Sequence, residues 1–510
     1  MERKNVVIIG AGISGLSAGI YAEQSGYHAI LIEKNPSVGG LCTGWYRGGH
    51  YIDGCIHWLT GTNEKTELYQ MWKNVGAISE DTKIVKLDTW GVFEYQGEIV
   101  PFYRDLDKAE KAWLEVSPID EKEIHHFFKM VRDIMSVELP LGAPASMLSF
   151  SRIFRLGKEL LKVWPSYLLT MGMSCEKYAK RFKSPAIRWA ITHAQPGAGN
   201  LYSMLFSYGT VAGKNGDIPE GGSKPMVERM KNRFLSLGGT LKLNSSVDYI
   251  IIKNNQAIGV CLSNGEKIYA DYIVSALDPN YTMNHLLMRQ YKFDRLEKRY
   301  SDMKRNPAPS CCVLAFEGDL VDIPNPYSFE CEPFYVGGTL ISHLTLRSFA
   351  YDKNTYVKDG KCIYELLIDQ YSENYKYWNT LYHDNKQEYL QKKTALAQAV
   401  QGRIIAKFPG FKGNLKILDV FTPKTLNRYT NASRGAYMGF LFTAKDPVFS
   451  FNGKVKGLKN FLLAGQWAQC PGGLPLALAS GKFAIQRICK MDKQSLIVSP
   501  SKILAKKIAS

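Results

Sequence analysis

The residues whose spacing first suggests chemistry are three glycines near the beginning of the chain. Gly10, Gly12 and Gly15 follow the G-x-G-x-x-G pattern, and Glu33 follows at about the 20-residue distance usual for this pattern. Such glycines permit a tight turn, a close approach of the main chain to a pyrophosphate, and packing of a helix on a strand. A carboxylate at Glu33 accepts hydrogen bonds from ribose hydroxyls and repels a 2′-phosphate. The pattern therefore predicts a site for a dinucleotide with an unphosphorylated adenosine.

The sequence around these glycines supplies the elements that must position them. Residues 6–9 form a β-branched apolar run, residues 16–24 have a helical pattern, and residues 29–32 form a second apolar run that ends at Glu33. The start of the helix would direct unpaired N–H groups and its positive dipole end toward the phosphates. A strand, a turn, a helix and a second strand are thus predicted.

A second glycine-rich region lies near the end of the chain. An apolar run over residues 460–464 leads into Gly465 and Gln466, and Gly472 and Gly473 precede a helical pattern. The start of that helix would supply further unpaired backbone donors. Both ends of the chain are therefore expected to contribute to one site.

Residues 33–40 combine an acid, a spacer and the paired glycines Gly39 and Gly40. This stretch resembles that of FAD enzymes of the amine oxidase and phytoene desaturase superfamily. The closing region resembles the C-terminal FAD signature of that superfamily, and residues 213–276 resemble its second FAD segment. The resemblance implies FAD as the cofactor. The residues that it implies in FAD binding are Gly10, Ala11, Gly12, Ile13, Ser14, Gly15, Glu33, Lys34, Gly39, Gly40, Leu41, Val247, Gly465, Gln466, Gly473 and Leu474.

Two positions depart from the usual pattern of that superfamily. Leu41 and Cys42 stand where family members often have an arginine, and Gln466 stands where they usually have Asp or Glu. Glutamine still forms a hydrogen bond with a ribitol hydroxyl. An altered contact with the same cofactor is therefore expected.

The best-fitting subgroup is that of carotenoid desaturases, carotenoid isomerases and retinol saturases, which residues 41–62 and 472–475 resemble. This resemblance implies hydride transfer at flavin N5 that desaturates, saturates or isomerises a long apolar polyene, isoprenoid or lipid. It makes His57 and Tyr429 candidate catalytic residues that contact the substrate or the flavin. The alternative for His57 is a structural histidine held by hydrogen bonds.

Two other functions fit the same resemblance. One is a flavin amine oxidase that releases peroxide, and the other is a non-catalytic flavoprotein that interacts with membranes. The sequence shows no carboxylate pair, Ser/His/Asp set or metal-ligand cluster, and no second glycine fingerprint for an NADPH domain. The identity of the substrate, the electron acceptor and the oligomeric state are left open.

The composition is typical of a folded globular protein, with 45% hydrophobic and 22% charged residues. A chain of 510 residues is long enough for two or three domains. The ten cysteines form no C-x-x-C pair, which favours a reduced compartment and no metal. We expect neither a leader peptide nor an apolar run of the roughly 18 residues that span a membrane. A cytoplasmic protein is therefore predicted.

The net charge of +17 calls for an anionic partner. The sequence contains no recognisable nucleic-acid module, so an anionic membrane at its inner face is the favoured partner. Residues 147–183 support this, because apolar side chains recur there at helical spacing beside many basic ones, with a break expected at Pro165. The alternative is that the apolar side of this segment packs in the core.

The predicted fold is α/β, and α+β overall. A Rossmann-like FAD-binding domain of the glutathione reductase type is expected to alternate with a mixed-sheet substrate domain that includes the amphipathic helical segment. The FAD-binding domain is assigned residues 1–80, 213–285 and 431–492, and the substrate domain residues 81–212 and 286–430. Residues 493–510 are predicted to form a basic tail.

Several patterns predict elements of the second domain. Alternation over residues 84–103 predicts strands, and helical patterns cover residues 106–116, 120–135 and 387–407. The aromatic residues of 371–389 have two interpretations, an ordinary core or the lining of an apolar tunnel.

Overall fold

The computed structural model of the chain describes residues 3–135, 137, 141–195, 199–302, 308–441, 443, 451–468 and 472–498. The strands are β1 (Asn5–Ile9), β2 (His28–Ile32), β3 (Gly44–Arg47), β4 (His50–Asp53), β5 (Leu59–Thr60), β6 (Ile84–Val85), β7 (Thr89–Tyr95), β8 (Glu98–Tyr103), β9 (Gly216–Pro219), β10 (Thr240–Lys242), β11 (Val247–Lys253), β12 (Gln256–Leu262), β13 (Lys267–Tyr269), β14 (Tyr272–Ser275), β15 (Ser310–Asp319), β16 (Tyr327–Val336), β17 (Thr339–Ser348), β18 (Val357–Lys358), β19 (Lys361–Gln370), β20 (Lys416–Phe421) and β21 (Phe461–Leu463). The helices are α1 (Ile13–Gln24), α2 (Glu67–Asn74), α3 (Leu106–Val116), α4 (Glu121–Met135), α5 (Phe150–Lys162), α6 (Trp164–Met171), α7 (Cys175–Ala179), α8 (Pro185–His193), α9 (Leu201–Ala212), α10 (Ser223–Ser236), α11 (Pro279–Tyr281), α12 (Asp294–Ser301), α13 (Lys353–Tyr356), α14 (Ser372–Asp384), α15 (Lys386–Lys407), α16 (Pro423–Thr430) and α17 (Leu474–Met491).

A parallel sheet of five strands, in the order β10-β2-β1-β14-β21, contains the predicted strand–helix–strand unit. Its central strand β1 is apolar, and Val6, Val7 and Ile8 are fully buried. Helices α1, α10 and α17 contribute to the core on one side of this sheet. The antiparallel strands β11 and β12 contribute to the core on the other side. Burial of both faces explains why these strands have continuous rather than alternating apolar sequences.

The second large sheet has eight strands, in the order β20-β15-β19-β17-β16-β7-β8, with β18 paired to β19. Its strands come from two regions of the chain, one between β2 and β10 and one between β14 and β21 of the parallel sheet. Apolar side chains on one of its faces pack against Leu396, Val400 and Ile404 of α15. Trp378 and Tyr389 belong to this same core. For these two residues of the aromatic stretch 371–389, the structure therefore agrees with the interpretation as an ordinary core.

A helical layer of α3, α4 and α7–α9 packs on β7 and β8 around Trp113, Phe127 and Phe128. Asp105 caps α3, because its carboxylate accepts hydrogen bonds from the backbone amides of Asp107 and Lys108. The described α3 coincides with the predicted helix, and α4 begins one residue later than predicted because a short 3-10 turn, Pro118–Asp120, precedes it.

The amphipathic segment forms the consecutive helices α5 and α6, which meet at Val163, two residues before Pro165, and then the short helix α7. Tyr167 and Leu169 pack against the helical core, whereas Phe150 and Phe154 point outward. Part of the segment therefore packs in the core, and membrane contact by its exposed residues stays a prediction. Within the described ranges, no helix combines the length and the apolar character needed to cross a membrane.

The domain boundaries drawn from the sequence stay a prediction. The predicted basic tail is described only to residue 498, and residues 499–510 lie outside the described part of the chain.

Candidate dinucleotide site

A cleft opens at the carboxyl edge of the parallel sheet, where β1, β2, β14 and β21 end. The residues that line it fall within 9–14, 32–42, 245–247, 276–281, 429–432 and 465–477. The glycine-containing regions singled out in the sequence thus meet at one cleft. The predicted residues that line it are Gly10, Gly12, Ile13, Ser14, Glu33, Lys34, Gly39, Gly40, Leu41, Val247, Tyr429, Gly465, Gln466 and Leu474.

The glycines at the start of α1 bring its first turn against β1. Gly10 has φ +97°, and a Cβ atom on Gly15 would lie 1.8 Å from the carbonyl oxygen of Gly10. The helix begins at Ile13, three residues before the predicted start. The prediction missed this first turn because residues 13–15 show no apolar periodicity. Gly12, its N-cap, provides no side-chain acceptor. The N–H groups of the first turn are therefore free to bind a ligand that lies in the cleft.

Glu33 lies at the end of β2, with 6% of its surface exposed. Its Oε2 accepts a hydrogen bond from the amide of Ala11 at 2.9 Å, and its Oε1 accepts from the amide of Asn35 at 2.9 Å. The carboxylate thus fixes the glycine turn relative to the end of β2. Oε1 also accepts from Nδ2 of Asn35 at 2.7 Å, which leaves a further lone pair for a hydroxyl donor on Oε2.

Lys34 connects this end of the cleft to the segment that carries Tyr429. Its Nζ donates to the carbonyl oxygen of Arg428 at 3.0 Å and to Oδ1 of Asn431 at 2.7 Å. The carbonyl oxygen of Tyr429 accepts from Nδ2 of Asn35 at 3.0 Å. Tyr429 therefore lies at the Glu33 end of the cleft, which favours a role beside the nucleotide over the predicted role at the substrate.

The opposite wall of the cleft comes from the end of the chain. The amide of Gly465 donates to Oγ of Ser480 at 2.8 Å, and this hydroxyl lies 3.0 Å from Oγ of Ser14. Helix α17 begins after Gly473, which has φ +126° and provides no side-chain cap. The amino ends of α1 and α17 therefore face the same space, and Nε2 of Gln466 donates to the carbonyl oxygen of Tyr437 at 3.4 Å.

His57 is absent from the residues that line the cleft. The chain before it is fixed by Asp53, whose carboxylate accepts from the amides of Cys55 (2.9 Å) and Ile56 (3.2 Å). The same carboxylate accepts from the amide and the hydroxyl of Ser223, at 2.6 and 2.5 Å, and from the hydroxyl of Tyr356 at 3.2 Å. Asp53 thus ties the loop that leads to His57 to the start of α10.

Two ionisable residues that the sequence did not point to face His57. Its Nε2 lies 3.6 Å from Oε1 of Glu365, and its carbonyl oxygen lies 3.5 Å from Nη1 of Arg347. Burial, followed by the charge of Arg347, holds the pKa of His57 well below its usual value. A single acid within the apolar run of β19 was the available sequence signal for Glu365.

The residues of the cleft fit a flavin dinucleotide. Two helix amino ends without side-chain caps suit a pyrophosphate and the electron-rich edge of a flavin, and the buried acid suits a ribose. Among the described residues, no group of His, Cys, Asp and Glu side chains has the geometry of a metal site.

Comparison with known proteins agrees with this geometry. The family model described as an NAD(P)-binding Rossmann-like domain matches residues 8–75. Prolycopene isomerase 1 of an Oncidium hybrid cultivar, a chloroplast protein, is 22% identical over 86% of this chain and 75% of its own length. The lycopene-forming phytoene desaturase of Pseudescherichia vulneris is 24% identical over 56% of this chain and 58% of its own length.

The fold also has solved counterparts. An oxidoreductase from Methanosarcina mazei superposes with a TM-score of 0.57 and 14% identity, covering 94% of this chain and all of its own. The fold and the cleft define a Rossmann-type protein with a flavin-type dinucleotide site. The sequence is similar to those of a carotenoid isomerase and a phytoene desaturase.

Proposed function

We propose that this protein is an FAD-dependent oxidoreductase that desaturates, saturates or isomerises carbon–carbon bonds of a long apolar polyene, isoprenoid or lipid. The observation that carries the proposal is the single cleft in which the three cofactor-type regions meet. The similarity to carotenoid isomerases and phytoene desaturases supports the choice of substrate class.

Each part of the cleft has a role in this proposal. The first turn of α1 binds the pyrophosphate, Glu33 binds the adenosine ribose, and Val247 contacts the adenine through its backbone. Gly39, Gly40, Leu41, Gly465, Gln466 and Leu474 surround the flavin, with Gly473 placing the start of α17. FAD supplies a hydride acceptor or donor at N5, and the protein supplies orientation and exclusion of water.

The start of α17 and Gln466 would influence the charge of a bound flavin. Unpaired amides at the start of α17 would stabilise negative charge on it, as helix amino ends do for anions. Gln466 would add a neutral amide where an acid would repel that charge.

The experiment begins with gentle purification and identification of the released cofactor. Yellow protein that contains FAD is then mixed anaerobically with polyenes, retinoids and unsaturated lipids. The flavin absorbance is recorded, and the molecular mass of the product is measured by mass spectrometry. A mass change of two hydrogens indicates desaturation or saturation, and an unchanged mass with altered geometry indicates isomerisation. Colourless protein that takes up no FAD, or turnover of polyamines with peroxide release, would overturn the proposal.

We also propose that α5 and α6 contact an anionic membrane surface peripherally. Large apolar side chains are exposed along them, with Phe150 91% and Leu161 69% exposed, and Lys158 lies 4.8 Å from the ring of Phe154. Beside the start of α5, a cavity of about 600 Å³ is lined by Lys482, Lys490 and Lys493 among other residues. Apolar anchors next to basic residues are typical of interfacial helices.

Vesicle flotation tests this contact. We expect the protein to float with vesicles of phosphatidylglycerol and phosphatidylcholine, and the triple variant with Phe150→Ser, Phe154→Ser and Leu161→Ser to stay in solution. A matched variant with Tyr335→Ser and Leu390→Ser removes exposed apolar side chains elsewhere and should float normally. Equal flotation of all three proteins would refute the assignment.

A further inference from the structure

Arg347 and Glu365 lie directly opposite each other on the neighbouring strands β17 and β19. The residues next to them in sequence, Leu346 and Leu366, pack in the core against α15. Because successive side chains of a strand point to opposite faces, Arg347 and Glu365 point to the other face of the eight-stranded sheet. That face meets His57 and the loop held by Asp53.

These side chains combine two properties that seldom occur together. The His57 side chain keeps 22% of its surface accessible, and Arg347, Thr345 and Leu367 are also partly accessible. Nevertheless, burial is the main cause that lowers the pKa of both His57 and Arg347. A group that a small molecule can reach, yet that protein surrounds, lies on the wall of a recess rather than on a convex surface.

The guanidinium of Arg347 is the charge in this recess that lacks a close partner. Among the described residues, no carboxylate oxygen lies within 4.0 Å of it, and its recorded hydrogen bond to the His57 carbonyl is long, at 3.5 Å. Glu365 and, less strongly, Asp53 attract it from beyond this distance, but the oxygens of Asp53 already accept five hydrogen bonds. A buried charge without a partner is costly, so a ligand anion would stabilise this arrangement.

Glu365 leaves room for such an anion. Burial raises its pKa to about 8, Arg347 lowers it and Asp53 raises it further, so that the acid is mostly protonated at neutral pH. Its Oε2 is buried and has no hydrogen-bond partner. A protonated Glu365 is a donor beside Arg347 rather than a competing carboxylate.

An apolar cluster lies between these polar groups and the dinucleotide cleft. Leu367 lies two residues after Glu365, on the same face of β19, and it packs in a cluster with Trp45, Leu426 and Tyr437. The carbonyl oxygen of Tyr437 accepts from Gln466, which lines the cleft. The recess is therefore polar at one end and apolar toward the proposed flavin position.

We infer that Arg347 binds the carboxylate end of an elongated apolar substrate, with Glu365 and His57 as additional hydrogen-bonding groups. This inference rests on the proposed function and narrows its substrate class to unsaturated acids. A single guanidinium matches the geometry and charge of one carboxylate, whereas a diphosphate end would require several cations.

The test uses FAD-loaded protein and a matched series consisting of a polyene acid, its methyl ester and the corresponding hydrocarbon. Binding is measured from the absorbance shift of the polyene with the flavin oxidised, and turnover is measured separately as kcat and KM. We expect the acid to bind about 10- to 100-fold more tightly than the ester, the range for hydrogen bonds to charged groups. Arg347→Gln should remove this preference and leave ester binding unchanged.

Arg229→Gln is the matched control, because Arg229 is another half-buried arginine, and it donates to the carbonyl oxygen of Ala77. It should keep the preference for the acid. Arg347→Lys provides a second variant that retains the charge and should restore part of the preference. The comparison of acid with ester on the unaltered protein needs no variant.

Equal binding of acid, ester and hydrocarbon would overturn the inference, as would equal losses for all three in Arg347→Gln. Turnover of the hydrocarbon alone would leave the proposed function intact and refute the role of Arg347. Failure of all three compounds to react, with FAD bound, would instead refute the proposed function.

Discussion

At the scale of single residues, carboxylates in different surroundings perform different tasks. Glu33 accepts backbone hydrogen bonds at the edge of the cleft, Asp53 is saturated by donors, and Glu365 is buried without a full set of partners. Burial raises the pKa of both Asp53 and Glu365, but hydrogen-bond donors oppose this rise only at Asp53.

Replacing Glu33 by glutamine tests its double role. In Glu33→Gln, an amide N–H2 group faces the amide of Ala11 or of Asn35, so one of these donors loses its acceptor. We expect a loss of about 1–3 kcal/mol in the free energy of unfolding and weaker FAD binding. Flavin fluorescence titration and urea unfolding measure the two effects. Glu266→Gln, at an exposed pair with Lys242, is the control and should change neither.

The raised pKa of Glu365 makes a specific prediction about pH. Since folding raises this pKa from 4.5 to about 8, the contribution of Glu365 to stability is fully present below pH 4.5 and is lost as the pH rises through 8. We expect the unaltered protein to lose more thermal stability between pH 5 and pH 8.5 than Glu365→Gln, which cannot ionise. Melting temperatures of both proteins at the two pH values test this prediction. Equal losses in the unaltered protein and in Glu365→Gln would contradict the raised pKa of Glu365.

At the scale of elements, the approach of α1 to β1 depends on the absence of a side chain at Gly15. A Cβ atom there would meet backbone rather than a movable side chain. The same constraint links α1 to α17, because a Cβ on Gly481 would lie 2.2 Å from the carbonyl oxygen of Ser14. Helix packing and cofactor geometry are therefore coupled.

Gly15→Ala should separate α1 from β1 and abolish FAD binding, with a loss of stability of several kcal/mol. Gly402→Ala, in the middle of α15 with no atom within 4 Å of the added Cβ, is the matched control. It should stabilise the helix by about 0.5–1 kcal/mol. Unfolding midpoints and FAD content of the two variants provide the comparison. Similar behaviour of both variants would disprove the packing argument.

At the scale of the whole molecule, the cleft joins segments from both ends and the middle of the chain. A ligand that binds all of them stabilises only the folded state. We expect FAD at about 100 times its Kd to raise the free energy of unfolding by about 2.7 kcal/mol. NADP should produce no such shift, since its 2′-phosphate would meet Glu33. An equal shift of the melting temperature with both nucleotides would count against the role of Glu33.

The sequence permitted prediction of the local units. The strand–helix–strand start, the paired helices α3 and α4, and the division of the amphipathic segment at Pro165 all appear close to their predicted positions. Glycine spacing and apolar periodicity act over a few residues, so a single sequence is enough to recognise them. The position of Tyr429 was less predictable, because it depends on contacts of Lys34 and Asn35 with residues 394 positions later in the chain.

By itself, the sequence determined the nucleotide-binding start of the fold and the residue types that would surround a flavin. Only the tertiary structure brought Arg347 and Glu365 to His57, across a sequence separation of 290 for the Arg347 contact. The physical reason is that backbone conformation is set by neighbours in sequence, whereas the pairing of β17 with β19 and the packing of the Asp53 loop against them are set by burial of surfaces from distant segments. The environment of a charge, and therefore its chemistry, is decided by that packing.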